Sequence, residues 1–145
     1  MLEKAKQQAL KYLLIRPRSE REMRQYLQKK QYERDIIDKV IAYLQQYHYL
    51  DELKFCEAWI NSRINLKPTG RYKIKNELKE KGIDGAIIDE ALMQFYPYET
   101  ELALAQQLAN KKASQNLPYE KIKRHLAYKG FDYDLIEAVV DKTNQ

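Results

Sequence analysis

The chain contains few of the residues that interrupt a helix. Among its 145 residues are four Gly and four Pro, while Lys, Glu, Gln, Leu and Ala are abundant, and this composition favours helix over strand throughout. Its one cysteine, Cys56, excludes an internal disulfide and is typical of a reducing compartment. No apolar stretch is long enough to cross a bilayer. We therefore expect an all-helical protein that is soluble and cytoplasmic.

Positive charge is in excess and is unevenly distributed. The formal net charge is +5, and residues 1–50 carry 11 Lys and Arg against 6 Asp and Glu, whereas the two are balanced in residues 51–98 and 99–145. A further basic window spans residues 63–81, with seven cations and two acids. Such windows attract nucleic acid or an acidic protein surface, and a solvated helix face carries the same pattern. Charge alone leaves these interpretations open.

A short motif occurs three times at nearly constant spacing. Residues 27–32, 78–83 and 126–131 align, with their leucines 51 and then 48 residues apart. An apolar residue precedes each leucine by one helical turn, and paired apolar residues follow at matching offsets. Such a period predicts units that bury their apolar faces against one another. We predict three tandem three-helix repeats, residues 1–50, 51–97 and 98–145, in one elongated, curved array.

The sequence also marks the ends of the helices. The starting signals of the middle helices are a capping box (Ser19 and Glu22), a Pro-to-Gly stretch (Pro68 to Gly70) and Pro118. Gly82 and Gly130 follow the second and third middle helices, where a left-handed residue closes a helix. Gln31 stands at that place in the first repeat, so a looser cap is expected there. The first helices are expected near Leu2–Leu14, Asp51–Ile64 and Thr100–Lys112.

Residues suited to catalysis are scarce. His48 and His125 lie in different repeats, with no cysteine or acidic residue at metal-binding spacing. Cys56 lies in an amphipathic helix and is expected to pack rather than react. The sequence has no glycine-rich phosphate loop, paired-carboxylate motif or nucleophile elbow. We predict a protein that is not an enzyme and that uses no metal or cofactor.

A cation recurs at the same position of all three repeats. Arg24, Lys75 and Lys123 each follow an apolar residue by one position, a rotation of about 100° that places them on the flank of the buried stripe. They line one surface only if the repeats stack in similar orientation. Lys30, Lys81 and Lys129 recur as well, but a place in the last helical turn is a sufficient reason for them. The predicted partner-binding residues are Arg24, Arg63, Lys67, Arg71, Lys73, Lys75 and Lys123.

The region around the first repeat boundary resembles a known family. Residues 49–60 read Tyr-Leu-Asp-Glu-Leu-Lys-Phe-Cys-Glu-Ala-Trp-Ile and resemble the RecX signature, Tyr-Leu-Asp-Asp/Glu followed by an aromatic and a small residue. Residues 77–83, Glu-Leu-Lys-Glu-Lys-Gly-Ile, are similar to the family's Glu-Leu-x-x-Lys-Gly-Ile. Arg63 and the Lys-Pro-Thr-Gly-Arg stretch at 67–71 lie between them. The resemblance covers essentially the whole chain. It departs from the family at Leu53-Lys54, where another acidic or Arg pair is common, at Cys56, where alanine is common, and at Gln31, which replaces a glycine.

The resemblance implies a function as well as a fold. RecX proteins are tandem three-helix repeats, so it implies a monomeric regulator that binds the RecA recombinase filament and inhibits its extension and activity. It places the protein in the control of DNA repair, DNA recombination and the SOS response, with no cofactor. Two alternatives remain: a basic, sequence-independent DNA-binding protein whose affinity falls steeply with salt, and a helical-repeat adaptor for some other protein.

Overall fold

Helices make up the folded part of the chain. The computed structural model describes the backbone of residues 1–143 and the side chains of residues 1–140, and in that range it contains nine helices and no strand. The helices are α1 (Leu2–Ile15), α2 (Glu20–Lys29), α3 (Arg34–Gln46), α4 (Glu52–Asn65), α5 (Arg71–Glu80), α6 (Gly85–Phe95), α7 (Tyr98–Ser114), α8 (Tyr119–Tyr128) and α9 (Tyr133–Thr143). They form three consecutive units, α1–α3, α4–α6 and α7–α9. The predicted all-helical array of three-helix repeats is confirmed.

The middle helices end in the same backbone cap in all three units. Gly82 and Gly130 adopt the left-handed conformation, with φ of 89° and 93°, and Gln31 does so as well, with φ of 69°. The Gln31 N–H donates to the Gln28 carbonyl at 2.9 Å and the next N–H reaches the Leu27 carbonyl at 3.2 Å, as in the glycine caps. The expected looser cap in unit 1 is therefore wrong. Gln31, which unlike glycine has a Cβ, adopts the left-handed conformation of this cap at a strain of about 1–2 kcal/mol.

The starts of the helices differ more than their ends. The capping box of α2 is confirmed: the Ser19 hydroxyl accepts from the Glu22 N–H at 3.1 Å, and the Glu22 carboxylate accepts from the Ser19 N–H at 3.4 Å. Asp51 caps α4 by accepting from the N–H of Leu53 at 2.9 Å. Gly70 stands at the N-cap of α5 and supplies no capping side chain. The free N–H groups of α5 must therefore find acceptors elsewhere.

The buried apolar residues form two clusters, although there are three units. One cluster belongs to unit 1 and includes Met23 and Leu27, both 0% exposed. The other contains residues of units 2 and 3 together, including Leu78 and Leu126, both 0% exposed. The second cluster is continuous across the boundary between units 2 and 3, so these two units share one core. Unit 1 has a core of its own.

The boundary between units 2 and 3, which we call joint 2, sets the end of α8 on the start of α5. The N–H of Gly70 donates to the Lys129 carbonyl at 2.8 Å, and the N–H of Tyr72 donates to the Gly130 carbonyl at 3.1 Å. A Cβ on Gly70 would lie 2.3 Å from the carbonyl carbon of Gly130, so this approach requires glycine. Free N–H groups of one helix bind free carbonyls of another, with the helix dipoles in favourable order.

A buried carboxylate completes joint 2. Glu101 of α7 is 1% exposed and accepts from the N–H of Arg71 at 2.9 Å and from its Nε at 2.7 Å. It is therefore the cap that Gly70 does not supply to α5. Arg71 also donates to the carbonyl of Tyr96 at 2.6 Å, and the Tyr96 hydroxyl donates to the carbonyl of Thr69 at 2.7 Å. Burial, and then the charge of Glu101, raise the pKa of Tyr96, so its phenol stays a donor.

The boundary between units 1 and 2, which we call joint 1, uses a side chain where joint 2 uses the backbone. The guanidinium of Arg21 in α2 donates to the Glu80 carbonyl at the end of α5, at 2.9 Å. A Cβ on Gly82 would lie 2.6 Å from Nε of Arg21, so the long side chain fills the space between the two helix ends. The end of α5 thus meets the start of α2, as the end of α8 meets the start of α5 at joint 2. At joint 1, however, a side chain rather than the backbone makes the contact.

Joint 1 also brings two carboxylates together. Glu52 in α4 corresponds to Glu101 in α7, since each precedes a buried apolar pair by three residues, and Glu20 stands where joint 2 has Arg71. Burial, and then the negative charges of Glu20 and Asp84, raise the pKa of Glu52. Joint 1 therefore places Glu20, which Arg24 of its own unit pairs at 3.2 Å, near Glu52, where joint 2 has an ion pair across the boundary.

Candidate functional site

The recurring cation of each unit forms an ion pair inside that unit. Each one pairs with an acid 14 residues later in the third helix, and the pairs are Arg24–Asp38 at 2.7 Å, Lys75–Asp89 at 3.0 Å and Lys123–Glu137 at 2.7 Å. The hydrogen bond with Asp38 raises the pKa of Arg24, and that with Glu137 raises the pKa of Lys123. These three predicted binding residues therefore hold the middle helix of each unit to its third helix.

A fourth predicted residue is occupied as well, and the other three converge. Arg71 is engaged with Glu101 at joint 2. Lys129 of unit 3 lies close enough to the remaining three that, after partial burial, the charges of Lys73, Lys67 and Arg63 lower its pKa. We call Arg63, Lys67, Lys73 and Lys129 the cation cluster.

Joint 2 creates the cation cluster. It sets the last turn of α8, with Lys129, beside the first turn of α5, with Lys73, and a Cβ on Gly130 would lie 2.5 Å from the Lys73 Cβ. Sequence reasoning missed Lys129, because its place at a helix end already explained it. Its neighbours come from a different unit 56 or more residues earlier in the chain, so no local spacing indicates the cluster.

One carboxylate compensates part of this charge. Glu77 accepts from Nε of Arg63 at 3.0 Å and from the indole of Trp59 at 3.1 Å. Burial raises the pKa of Glu77, but the hydrogen bonds from Arg63 and Trp59 outweigh it, so the pKa lies below its ordinary value. Two cations lie close to the ring of Trp59, the Arg63 guanidinium at 4.6 Å and the Lys81 ammonium at 5.3 Å from its centroid. Positive charge remains in excess here.

An exposed aromatic ring borders the cation cluster. Tyr128 at the end of α8 is 75% exposed, and the ammonium of Lys73 lies 4.7 Å from its ring centroid. A ring presented to solvent beside several cations offers both a stacking surface and phosphate-binding groups. By contrast, the joint residue Tyr96 is fully buried and packs, as tyrosines at helix joints usually do.

The cysteine and the two histidines are the side chains of the described residues best suited to react or to bind a metal. Cys56 is 0% exposed, and burial followed by the charge of Glu52 raises the pKa of its thiol to about 11, which confirms that it packs. Burial, and then Lys112 and Lys129, lower the pKa of His125. His48 lies in the α3–α4 connection, with φ of 59°. Within the described residues, no group of three or more His, Cys, Asp or Glu is placed to hold a metal ion, and no helix there is long and apolar enough to cross a membrane.

Three family models match the chain in the order of its units. The models of the first, second and third three-helix domains of RecX match residues 5–44, 51–92 and 99–140. Each match falls within one three-helix unit and covers most of it.

Individual relatives agree with the family models. The chain is 34% identical over 140 residues to the regulatory protein RecX of Prosthecochloris aestuarii, which covers 96% of this chain and 93% of that relative. It is 36% identical over 147 residues to the regulatory protein RecX of Oceanobacillus iheyensis, covering 97% of this chain and 54% of that one, so it spans about half the length of this longer relative. The crystal structure of RecX from Lactobacillus salivarius superimposes with a TM-score of 0.90 at 27% identity, covering 99% of this chain and 96% of that structure.

Proposed function

The chain belongs to the RecX family of regulatory proteins, and on that premise we propose that it binds the filament of the RecA recombinase and limits the extension and activity of that filament. The match of all three units to the RecX domains, in order, carries this proposal. The protein acts as a cytoplasmic monomer in the control of DNA repair, recombination and the SOS response. No cofactor takes part.

The arrangement of the units supports binding along a filament. Each unit stacks on the next through the ends of its middle helix, and units 2 and 3 share a core. A stack of this kind presents a long surface of fixed shape, which suits a partner that is itself a repeating polymer. The short connections between the units, residues 47–51 and 96–97, contain no glycine, which keeps the units from behaving as freely linked modules.

The cation cluster is the part of the predicted binding surface that we assign to the partner. Arg24, Lys75 and Lys123 are paired inside their units, and Arg71 is paired at joint 2. These four, and Arg63 of the cation cluster through its ion pair with Glu77, contribute less to long-range attraction, because their charges are compensated nearby. The cation cluster retains a net positive charge and attracts acidic protein groups or DNA phosphates at the filament.

The test is the ATP hydrolysis of RecA on single-stranded DNA, with this protein added in increasing amounts. We expect inhibition well below one molecule per recombinase protomer, since binding that limits extension acts on many protomers at once. No inhibition would contradict the proposal, and inhibition only when the protein saturates the DNA would indicate competition for DNA. The double variant Lys67→Glu with Lys73→Glu should require at least tenfold more protein. Lys11→Glu with Lys39→Glu, the same charge change in unit 1, is the matched control.

Direct DNA binding is the second candidate, and the exposed ring of Tyr128 beside Lys73 favours it. The three lysines of the cation cluster, each contacting one phosphate, would give single-strand binding a log–log salt slope of about −2, at about −0.7 per phosphate. Anisotropy of a labelled oligonucleotide without RecA measures this slope. Tyr128→Ala should weaken binding without changing the slope, because it removes stacking and no charge. DNA binding by the wild-type protein whose affinity does not change with salt concentration would exclude the cation cluster as the DNA site.

A further inference from the structure

Joint 2 contains an open groove whose walls are largely apolar. The groove has a volume of about 640 Å³ and lies between α5, α6 and the starts of α7 and α9. Leu92 and Leu135 form part of its buried wall. Met93 is 80% exposed, and Tyr72 and Tyr98 are each 53% exposed. Large apolar groups in contact with water around one concave surface are typical of a binding site.

The repeat supplies an internal comparison for this groove. Joint 1 has a crevice of about 400 Å³ at the corresponding place, and the side chains that line it are all polar or charged, including Glu20, Arg24 and Glu52. Arg21 stands there in the position of Tyr72, and Ala42 corresponds to Met93. A stack of the same kind thus forms without these apolar side chains. Tyr72 and Met93 are therefore not required by the fold, and their exposure at joint 2 needs another reason.

The charges around the groove indicate what it binds. Its lining contains two cations and three acids. Arg71 is paired with Glu101 at 2.7 Å, and Lys75 is paired with Asp89 at 3.0 Å. Asp132 is left with a long hydrogen bond of 3.4 Å from the Tyr72 hydroxyl. A basic group complements this remaining carboxylate, and an apolar group complements the wall beside it.

We propose that the groove of joint 2 binds a protein segment that inserts a large apolar side chain among Tyr72, Met93 and Tyr98 and places a lysine or arginine against Asp132. The segment belongs to the recombinase, and this assignment rests on the function proposed above. The groove is thus a second contact surface, distinct in chemistry from the cation cluster. One surface attracts negative charge, and the other selects an apolar anchor next to a positive charge.

The chemistry of the groove is tested without the recombinase, on the full chain labelled with carbon-13 at the methionine methyl groups. The probes are tryptamine, an indole with an ammonium group, and indole-3-propionate, an indole with a carboxylate. We expect tryptamine to shift the Met93 methyl signal and to saturate at a concentration at least fivefold lower than indole-3-propionate. Asp132→Asn should remove that difference. The buried Met23 methyl in unit 1 is the internal control.

Two results of this titration would overturn the proposal. One is a Met93 signal that neither probe shifts, or that both shift equally. The other is a Met93 signal that shifts with the concentration of the protein alone, which would make a second copy of the chain the occupant.

The assignment of the bound segment to the recombinase is tested with a variant that introduces residues of joint 1 into joint 2. Tyr72→Arg with Met93→Ala introduces the residues that unit 1 carries at these places and removes two of the exposed apolar side chains of the groove. Inhibition of RecA should then require at least tenfold more protein, with an unchanged helical signal in circular dichroism. Wild-type inhibition by this variant would overturn the assignment to the recombinase. If the wild-type protein itself leaves RecA unaffected, the proposed function fails, and the indole titration still decides the chemistry of the groove.

Discussion

The two joints of the molecule bring together the same helix ends, the end of one middle helix and the start of another, but hold them with different chemistry. At joint 2 the ends of two helices meet directly, because Gly70 and Gly130 allow the backbones to touch, and Glu101 binds Arg71. At joint 1 an arginine side chain separates the helix ends, and Glu20 faces Glu52. Within residues 1–140, no salt bridge crosses joint 1. Burial raises the pKa of Glu22, but the hydrogen bond and charge of Arg16 outweigh it and lower that pKa, and Lys81 of unit 2 adds a weaker attraction. The same repeat therefore produces one tight joint and one weak joint.

This difference divides the array into two bodies of unequal size. Units 2 and 3 share a core and should unfold together, whereas unit 1 has a separate core. Local unfolding follows such boundaries, because few contacts are lost when one body opens without the other. We expect unit 1 to open at a lower free energy than the rest. The predictions below test that difference.

The largest effects should come from truncating the equivalent leucines of two middle helices. Leu27→Ala and Leu78→Ala each remove a side chain that is 0% exposed, so each should lower stability by about 2–5 kcal/mol. Hydrogen exchange read by mass spectrometry should locate the two losses differently. Leu27→Ala should release α1–α3 alone, and Leu78→Ala should release α4–α9 together. Equal loss of protection over the whole chain in both variants would show that there is one cooperative body.

The close approach at joint 2 should make Gly70→Ala costly. Its new Cβ would lie 2.3 Å from backbone, so the two helix ends must separate and lose their hydrogen bonds, at about 3 kcal/mol in all. Chemical denaturation measures the loss. Gly85→Ala is the matched control, since no atom lies within 4 Å of the Cβ it adds, and it should leave stability unchanged or slightly higher. A Gly70→Ala protein as stable as this control would refute the tight joint.

The corresponding carboxylates of the two joints should respond in opposite directions to the same substitution. Glu101→Gln removes the charge that Arg71 faces in a mostly buried setting and should cost about 2 kcal/mol. Glu52→Gln removes a like-charge contact with Glu20 and should raise stability by about 0.5 kcal/mol. Thermal unfolding of the two variants and of the wild type measures whether each substitution lowers or raises stability. A loss of stability in Glu52→Gln would mean that this carboxylate has a favourable partner.

The smallest effect should be a pH dependence confined to joint 1. The pKa of Glu52 in the folded protein lies above its ordinary value of 4.5, because Glu52 is partly buried and near other acids, so the folded state binds the proton more tightly than the unfolded state does. The ionised Glu52 therefore destabilises the fold at neutral pH, and this cost fades as the pH falls through the folded pKa towards 4.5. The stability difference between Glu52→Gln and wild type should shrink over that range. A difference that stays constant from neutral pH to 4.5 would contradict the raised pKa.

Several features of the fold follow from local patterns. The capping box at Ser19 and the left-handed glycines at 82 and 130 were predictable because each depends on residues within a few positions. The repeat itself was visible because buried positions recur at a fixed period. The pairing of Arg24 with Asp38 was missed, although the same spacing of 14 residues recurs in the other two units and indicates the contact.

The sequence alone determined the helical class, the three units and the family, since these depend on short-range periodicity and on motifs. Tertiary structure decided which cations remain available and which are paired, because the partner acids lie on other helices. It also decided that Lys129 joins Arg63, Lys67 and Lys73, and that Glu101 caps α5. The physical reason is the same in each case. Electrostatic energy depends on distances in space, and residues at a joint approach one another only after the units have packed.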